Sequence, residues 1–439
     1  MINGVRSSII TGIVVIISNR GAVAASLDPT VLNMPQQQVT QSGPPVPLSA
    51  VFNESLLNSP RASNLRAQLR ISRAAYAQAL TLPNPSFFFL DDTAQRARQV
   101  GASIPIEAPW KLAFRVLLAK AQVKLTDLEI QTNLWQFRAT TRKAYLDVVI
   151  ARESAETLME LQQLSGELLS IAKRRFDADD VAAYDVERAS LANLQADADY
   201  RQAVKKVDQT SQRLTVFIGR DYKQTVTVQR LPSFALKAEA NELLPDVSKN
   251  LPSLDQMIAE ALRTRLDLKS IEQKLAVNRA GMRSTVANIV PNTQLNVGSS
   301  YSGNPPDGPA TRGYFLGVTQ EVPILNFQQG ELARLKAIGA QLKMEVQATR
   351  NVVTEDVINA YHQLDAARER VIIFQTQILP TSDKVARMAR RGYEVGQTDI
   401  TATLAAQQSN VQTRLAYLEA VRAYQLALTD LEQAVGHPF

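Results

Sequence analysis

The sequence predicts a mainly α-helical protein in which one unit is present twice, each unit combining long coiled-coil helices with a short β-hairpin. Three observations lead to this prediction. Similar stretches recur at a nearly constant spacing, long runs without proline carry a heptad pattern, and paired strand-like segments precede these runs. A constant spacing between similar stretches is the signature of a tandem repeat, and a heptad pattern is typical of coiled coils.

The duplication is visible where "KRRFDADDVAAYDVERASLANLQ" aligns without a gap with "RRGYEVGQTDITATLAAQQSNVQ". The offset is 217 positions, as between Arg174 and Arg391, and it holds as far as Gly219 and Gly436. Further upstream, "AYLDVVIARE" matches "AYHQLDAARE" at an offset of 216 positions. Unrelated helices do not keep their register over such a distance. We therefore predict tandem duplication of a unit of about half the chain.

The N-terminus predicts export from the cytoplasm. Arg6 precedes an apolar run from about Ile9 to Ile17, and an Ala-x-Ala site follows at Ala22 to Ala24. This pattern is typical of a secretory signal peptide, and a retained N-terminal anchor is the alternative. No later stretch reaches 18 uninterrupted apolar residues. An exported chain of this kind is either periplasmic or an outer-membrane β-structure.

Composition argues against catalysis, resident metals and nucleic acid. The chain has no cysteine, which excludes disulfides, thiolate metal sites and an N-terminal lipid acceptor. The net charge is +6, but basic and acidic residues alternate along the helices as on solvated faces. The two histidines, His362 and His437, stand apart from other metal-ligating residues. No nucleophile elbow, phosphate-binding loop or HExxH motif is present, so we expect no enzyme activity, no cofactor and no metal site.

Long helices are predicted from the absence of breakers and from the heptad seams. The run Trp110–Arg175 has no proline and one glycine, Gly166. Unbroken, it extends over roughly 100 Å at about 1.5 Å per residue, which suits a coiled-coil cylinder or stalk. The residues that form heptad seams are Thr157, Leu161, Leu164, Leu168 and Ile171 in the first half, and Leu404, Val411 and Leu418 in the second.

Strand-like segments alternate between apolar and polar residues. "TQLNVGSSY" (Thr293–Tyr301) and "YFLGVTQEV" (Tyr314–Val322) flank a loop rich in glycine and proline. In the first half, "PSFFFL" and "VGASIP" flank a charged loop. Short strands that are apolar on one face are typical of outer-membrane barrels, although an ordinary amphipathic hairpin has the same pattern. The residues predicted to face lipid are Leu295, Val297, Tyr301, Tyr314, Leu316 and Val318.

The number of strands has a consequence for assembly. Four strands cannot close a barrel, since the smallest barrels have about eight. An open sheet edge is not tolerated inside a lipid bilayer, because its backbone groups lack hydrogen-bond partners there. If these strands lie in a membrane, several chains must share one barrel.

Several stretches resemble the TolC-like outer-membrane efflux factors, and the resemblance covers Val51–Gly436. The stretch "LPNPSFFF" is similar to the heavy-metal, CzcC-like branch. The other stretches that carry the resemblance are "RRGYEVGQTDI", "ILP" at Ile378–Pro380, "RLDLKSIEQKLAVNRAGMRSTVANIVPNTQLNVG" from Arg265, and "EVPILNFQQGELAR" from Glu321.

The resemblance implies a homotrimer in the outer membrane, with the helical part in the periplasm. Each protomer would give four strands to a shared twelve-stranded β-barrel, and its helices would build an α-helical barrel. Such a protein is the exit duct of a tripartite efflux pump or a type I secretion system. Its partners are a periplasmic membrane-fusion adaptor and, indirectly, an inner-membrane pump of the RND or ABC type. Metal ions, drugs, toxins and proteins are all cargo for ducts of this kind.

The repeats and the resemblance together define the predicted domains. The predicted segments are a signal peptide at 1–24, a Pro- and Gln-rich strap at 25–50, a first repeat at 51–219, a linker at 220–257, a second repeat at 258–436 and a tail at 437–439. The predicted hairpins lie at about 85–105 and 292–324, and the predicted helical tips at 176–185 and 393–402.

The two polar breaks are predicted to be turns between helices at the periplasmic tips. Such a turn needs a residue that accepts a positive φ, which Gly396 supplies and Asp179 tolerates. By resemblance, Asp185 is a candidate for a periplasmic gate. Its counterpart in the second repeat is Ala402, so Asp399, three residues earlier, is the substitute candidate on that side. The residues predicted to contact an adaptor are Phe176, Ala178, Asp179, Asp180, Val181, Tyr393, Val395, Gly396, Gln397 and Thr398.

One competing hypothesis is a periplasmic coiled-coil structural or adaptor protein without membrane strands. The two hypotheses differ in the environment of the apolar strand residues. An adaptor would bury Leu295–Tyr301 and Tyr314–Val318 or carry a lipoyl-like β-domain, whereas a channel would leave these strands on the surface for lipid.

Overall fold

The computed structural model describes residues 45–92, 97–228, 251–302 and 311–438, all within one compact unit, Gln41–Phe439. The predicted signal peptide, most of the predicted strap and much of the predicted linker lie outside the described residues. The helices are α1 (Leu48–Asn58), α2 (Pro60–Ala79), α3 (Pro109–Asp177), α4 (Ala183–Ile218), α5 (Leu254–Thr264), α6 (Leu266–Ala287), α7 (Gln329–Ile373), α8 (Leu379–Glu394) and α9 (Ile400–Val435). The strands are β1 (Ser86–Asp92), β2 (Ala97–Ile106), β3 (Thr293–Ser302) and β4 (Thr311–Thr319).

The structure confirms a mainly α-helical chain with a small β part. The four strands form one antiparallel sheet in the order β1-β2-β3-β4. Each repeat supplies one hairpin, and β2 of the first pairs with β3 of the second, with Gly101 opposite Gly298. Among the described residues, β1 and β4 each pair along one side only. Their outer edges therefore present backbone groups that still need partners.

The α3 helix shows how the sequence sets the length of a coil. It begins with Pro109, whose missing N–H is not needed in the first turn, and continues for 69 residues without another proline. The predicted heptad seam is used where α3 meets the tips, because Leu168 and Ala172 pack with Ala189 of α4. Thr157 and Leu168 of the predicted seam are buried, and Leu161, Leu164 and Ile171 are half-buried.

The second repeat builds the same coil with one more residue. Between α7 and α8, Phe374–Ile378 forms a π turn, which holds one residue more than an α turn. The repeat offset rises from 216 to 217 between Glu369 and Arg391, and the π turn lies in that interval. The extra residue is thus absorbed locally. The side chains before and after it therefore point in the same directions around the helix as their counterparts in α3.

Buried residues confirm the duplication in three dimensions. Leu214 and Leu431 correspond at the offset of 217, and both are fully buried. The same holds for Ile218 and Val435. In the first repeat these residues pack where α1, α3 and α4 meet, and in the second where α5, α7 and α9 meet. The two repeats therefore have equivalent cores.

Two equivalent glycines end helices where these meet the junction of two other helices. Gly219 ends α4 with a φ of 95° and lies against the α1–α2 junction, where a Cβ would come within 2.6 Å of the Asn58 carbonyl oxygen. Gly436 ends α9 with a φ of 90° and lies against Arg265, at the α5–α6 junction. Only glycine adopts this left-handed conformation at no steric cost, and only glycine fits so close to a neighbouring backbone.

The helices lie side by side, and near the sheet they have the same order as the strands next to them in the sequence. Near the sheet the order is α2-α3-α6-α7, and towards the tips it is α4-α3-α9-α8. Within the part of the chain that the structure describes, the first and last helices of each row form no substantial contact with each other. The chain therefore has two free lateral sides, one formed by β1, α2 and α4 and the other by β4, α7 and α8.

A polar cluster ties the sheet to the helices. Arg115 of α3 donates to the carbonyls of Ala79, the last residue of α2, and Thr81, at 2.9 and 2.7 Å. It also donates to the Glu107 carboxylate at 2.8 Å. Lys111 donates to the side chain of Asn292, just before β3, at 2.7 Å. Burial lowers the pKa of Lys111, while the Glu107 carboxylate acts in the opposite direction. These bonds fix the direction in which the strands leave the helices.

Candidate functional site

The sheet presents one continuous apolar face. The register places Leu295 opposite Val318 and Val297 opposite Leu316, and directly opposed residues share a face. Tyr314, Leu316 and Val318 are 88%, 74% and 68% exposed. The structure thus brings the strand residues predicted to face lipid together on one side. We define the apolar sheet face as Phe87, Phe89, Val100, Ile104, Leu295, Val297, Tyr314, Leu316 and Val318.

The borders of this face are polar or aromatic. At the loop end of the hairpins Tyr301 lies opposite Arg98 and Arg312, and Arg98 forms an ion pair with Asp91. At the helical end Trp110 is exposed. Aromatic residues and arginine at the edges of an apolar band are typical of membrane–water interfaces.

The opposite face of the sheet is mainly polar, apart from Leu90 on β1 and a pair of aromatic rings that the sequence analysis missed. Ser103 donates to Gln294 at 2.7 Å, and Asn296 donates to Thr319 at 2.8 Å. The rings of Phe88 and Phe315, with centroids 6.0 Å apart, lie over the paired glycines Gly101 and Gly298. Glycine leaves the backbone uncovered, so the two rings shield it from water. Strand alternation could have placed Phe88 on this face, but the glycine pair appears only with the register of β2 and β3.

An uncovered apolar face of this extent needs an environment other than water. Soluble monomers rarely expose large contiguous apolar patches, because each Å² left in water costs about 25 cal/mol. The exposed side chains run along all four strands and so form a band rather than scattered residues. The face is therefore suited to contact with lipid or with another apolar surface.

The helical tips have equivalent backbone geometry. The first turn contains Asp179 with a φ of 58°, and the second contains Gly396 with a φ of 76°. These residues correspond at the offset of 217, which confirms the prediction that each turn needs a positive φ. The turns are closed by backbone bonds from Asp180 to Arg175 at 2.8 Å and from Gln397 to Gly392 at 2.7 Å.

The strained residue in the first tip leads to a stability prediction. We expect Asp179→Gly to raise the free energy of unfolding by about 0.5–1 kcal/mol, because glycine accepts a positive φ without the steric cost that a Cβ brings. The matched control is Asp180→Gly, at a neighbouring position without a positive φ, which should not stabilise. Thermal unfolding of the two variants checks this, and equal shifts would contradict it.

Most residues predicted to contact an adaptor lie on the surface of the tips. Phe176 and Val395 are exposed apolar side chains, whereas Tyr393 is only 1% exposed. Tyr393 therefore differs from the expectation of an exposed contact residue, because it packs into the cluster of Leu168 and Ile400. The remaining exposed residues are Ala178, Asp179, Asp180, Gly396 and Gln397, and the half-buried ones are Val181 and Thr398.

Tyr393 connects the two coils of the protomer at their tips. Arg175 of α3 donates to the Tyr393 carbonyl at 3.1 Å, and its guanidinium lies 5.1 Å from the centre of the tyrosine ring. Burial raises the pKa of Tyr393, the Asp185 carboxylate raises it further, and Arg175 lowers it. Asp185 thus faces the same junction as Arg175 and Tyr393. The contact combines a partly buried hydrogen bond with a cation–π interaction.

The second gate candidate, Asp399, has a local role. Its carboxylate accepts from the Ala402 backbone at 2.8 Å and so caps the N-terminus of α9. Thr398 donates to the Ala389 carbonyl at 3.1 Å, and its side chain packs on Gly392, where a Cβ would come within 2.8 Å. The sequence analysis did not single out Gly392, because only the structure shows that the Thr398 side chain packs against it.

Near the tips, the coils are also joined by ion pairs between surface side chains. Arg390 of α8 reaches Glu167 of α3 at 2.8 Å, and Arg414 of α9 reaches Glu160 of α3 at 2.8 Å. Exposed pairs of this kind contribute only about 0–1 kcal/mol each.

Across residues 45–92, 97–228, 251–302 and 311–438, no three His, Cys, Asp or Glu side chains come together as a metal site requires. None of the described helices is both long and apolar enough to cross a bilayer.

Comparisons with known proteins agree with this architecture. Residues 257–437 match the family model "Outer membrane efflux protein". The cobalt-zinc-cadmium resistance protein CzcC of Cupriavidus metallidurans is 23% identical over 396 residues, covering 89% of this chain and 90% of the relative. The solved outer-membrane channel OprN superposes with a TM-score of 0.68 at 16% identity, covering 89% of both chains. The Campylobacter jejuni outer membrane channel CmeC gives a TM-score of 0.68 at 15% identity, covering 89% of this chain and 85% of that one. The fold is therefore that of TolC-like outer-membrane channels.

Proposed function

Because residues 257–437 of this chain match the family model "Outer membrane efflux protein", we propose that the chain is an outer-membrane exit duct. In this proposal three copies share one β-barrel in the outer membrane and one helical tunnel in the periplasm. The duct conducts solutes passively, and the energy for transport comes from a pump elsewhere.

The apolar sheet face is the observation that carries this proposal. It lies opposite a mainly polar face on the same four strands, as expected when lipid is on one side and water on the other. The competing adaptor hypothesis expects these side chains to be buried, or the chain to carry a lipoyl-like β-domain. Tyr314 and Leu316 are instead among the most exposed large apolar residues of the described chain.

The free strand edges support assembly from several copies. In lipid, the outer edges of β1 and β4 require partners for their backbone groups, and β4 of one copy pairing with β1 of the next supplies them. Four strands from each of three copies make twelve, whereas a single copy falls below the minimum of about eight. This number of copies follows from the family resemblance and is consistent with the strand count.

The tips are proposed to contact a periplasmic membrane-fusion adaptor docked to an inner-membrane pump of the RND or ABC type. Support comes from the exposure of apolar Phe176 and Val395 beside acidic Asp177, Asp179 and Asp180. Such a surface can bury apolar side chains of a partner and attract its basic groups.

Because the relative CzcC is named a cobalt-zinc-cadmium resistance protein, divalent metal ions are the first cargo to test. Drugs, toxins and proteins are the further candidates.

The junction of Arg175 and Tyr393 leads to a prediction about conductance. Arg175→Ala removes a hydrogen bond and a cation–π contact that join the two coils at the tip, so we expect a wider periplasmic opening and a severalfold higher single-channel conductance. The control is Arg174→Ala, an exposed neighbour at the same level. Equal conductance in both variants would show that this junction does not limit the opening.

Reconstitution in a planar bilayer tests the proposed function. The purified full-length protein should insert from detergent and give discrete ion-conducting steps, with a conductance that depends on which side of the bilayer carries the tips. A protein that stays in the aqueous phase, needs no detergent and gives no current would refute the channel proposal and favour the coiled-coil adaptor.

A further inference from the structure

The polar face of the sheet carries two phenylalanines at one level. Phe88 of β1 lies opposite Gly101 of β2. Gly101 in turn lies opposite Gly298 of β3, and Gly298 lies opposite Phe315 of β4. The register thus places one residue of each strand in a single row, with the rings on the outer strands and the glycines between them. We name Phe88 and Phe315 the aromatic pair.

The glycines allow both rings to lie close against the backbone. A Cβ on Gly101 would come within 2.6 Å of the Phe88 Cζ, and a Cβ on Gly298 would come within 2.6 Å of the Phe315 Cζ. Nonbonded carbon atoms prefer separations of about 3.5–4.0 Å, so a side chain at either glycine would displace a ring. The ring centroids are 6.0 Å apart, with an angle of 38° between the ring planes. The two rings therefore form one shallow aromatic surface on the sheet.

The wall around this surface is polar and carries little charge. Asn296 and Ser300 flank the row along β3, and Gln99 and Ser103 flank it along β2. Among the strand residues that the structure describes, this face has no lysine or arginine, and its one carboxylate is Asp92 at the loop end. A cation that approaches the aromatic pair therefore meets no basic group on the same wall.

In the proposed channel this face lines the pore. Phe88 and Phe315 are half-buried, so part of each ring is covered by the sheet and part is open to the pore. Only in barrels of about eight strands do side chains fill the interior, so the aromatic pair would line a twelve-stranded pore without closing it. Threefold symmetry would repeat the pair at the same height, which gives six rings around the pore.

Ring faces attract a particular class of solute. The face of an aromatic ring is the negative end of its quadrupole and attracts cations. Planar aromatic groups stack on such a ring in an offset arrangement. A solute that is both planar and positively charged gains from both interactions, whereas the polar side chains elsewhere on this wall offer neither.

We propose that the aromatic pair is a binding site for planar aromatic cations inside the barrel. The proposal rests on the proposed channel and adds a class of solute that the pore wall retains during passage. The site is separate from the acidic residues of the tips, because the length of α3 lies between the sheet and Asp177.

Single-channel recording with two dications tests the proposal. The full-length protein is inserted in a planar bilayer in potassium chloride, and propidium, a planar aromatic dication, is added on one side. Hexamethonium, an aliphatic dication of equal charge, is the comparison probe. We expect propidium to reduce the potassium chloride current at concentrations at which hexamethonium has little effect, because only propidium can stack on the rings.

The decisive variant is Phe88→Leu with Phe315→Leu. Leucine keeps an apolar side chain over the glycines but removes the ring faces. We expect the propidium concentration that halves the current to rise about tenfold, because stacking and cation–π contacts are lost. The potassium chloride conductance should stay the same, since leucine is no larger than phenylalanine. If the rings only shield the glycine backbone, the block by propidium will not change.

The matched control is Phe87→Leu with Phe89→Leu. It makes the same two replacements on β1, but on the apolar sheet face. We expect propidium to block this variant as it blocks the unmodified channel. If the decisive double variant forms no channels, the single variants Phe88→Leu and Phe315→Leu replace it. Each keeps three of the six rings, and we expect a rise of about threefold in the half-blocking concentration.

The outcomes separate this proposal from the channel proposal. Weaker propidium block in the aromatic-pair variants alone supports the site. Unchanged block in those variants, an equal change in the control, or equal block by hexamethonium and propidium in the unmodified channel overturns the site and leaves the channel intact. Absence of any current through the unmodified protein overturns both.

Discussion

Leu316→Arg is expected to abolish assembly of the protein in the outer membrane. Leu316 lies in the middle of β4 on the apolar sheet face, opposite Val297. An arginine near the centre of a bilayer costs about 2–4 kcal/mol on the lipid face of a barrel. Each subunit of the proposed trimer carries this cost, so insertion and assembly fail together. Extraction of outer membranes and the mass of the detergent-solubilised protein measure the effect.

The matched control is Asn296→Arg, at the same level of the sheet but on the other face. Asn296 lies opposite Gly317, which leaves room for a longer side chain on the polar face. We expect this variant to assemble and to shift the ion preference of the channel towards anions, because a ring of arginines would line the pore. If Asn296→Arg fails to assemble while Leu316→Arg succeeds, the assignment of the two faces is reversed.

The second large effect is expected from a one-residue deletion in α3, which is compared with a one-residue deletion in the π turn. Deletion of Gln163 within α3 should abolish the native fold, because every residue up to the tip would turn by about 100°. Leu168 and Ala172 would leave the cluster that now buries them. Burial of Leu168 alone contributes about 1.5–3 kcal/mol, and the other side chains between the deletion and the tip lose their contacts as well, so the total loss approaches the stability of a typical domain, about 5–15 kcal/mol.

Deletion of Thr376 in the π turn is expected to be tolerated. Thr376 is exposed, and its removal converts α7 and α8 into one continuous helix, as α3 is in the first repeat. Leu379 and Tyr393 would keep their positions, and the cost is that of placing Pro380 inside an uninterrupted α-helix, about 3 kcal/mol. Circular dichroism during thermal unfolding compares the two deletions. Equal damage from both would show that the π turn does not absorb the extra residue.

Much of this architecture could be predicted from the sequence because the relevant patterns are local or repeated. The run without proline predicted Trp110–Arg175 as one helix, and the structure has Pro109–Asp177. Strand alternation predicted which side of β3 and β4 is apolar, because successive residues point to opposite faces. The repeat offset identified Asp179 and Gly396 as equivalent turn residues before their positive φ was known.

Features that depend on contacts between distant segments could not be predicted. The offset change placed an extra residue between Glu369 and Arg391, but only the packing of Phe374 and Leu379 in the core fixes where it is absorbed. The burial of Tyr393 depends on α3 and α4, more than 200 residues earlier in the chain.

Single-particle imaging of the protein extracted from outer membranes is the most direct test of the central claim, that three copies jointly enclose one pore. The predicted result is a threefold particle with an open channel, in which β4 of each copy pairs with β1 of the next and detergent surrounds the band that includes Leu316 and Val318. A lone protomer, or a particle whose sheets are buried against each other without a pore, would contradict the account.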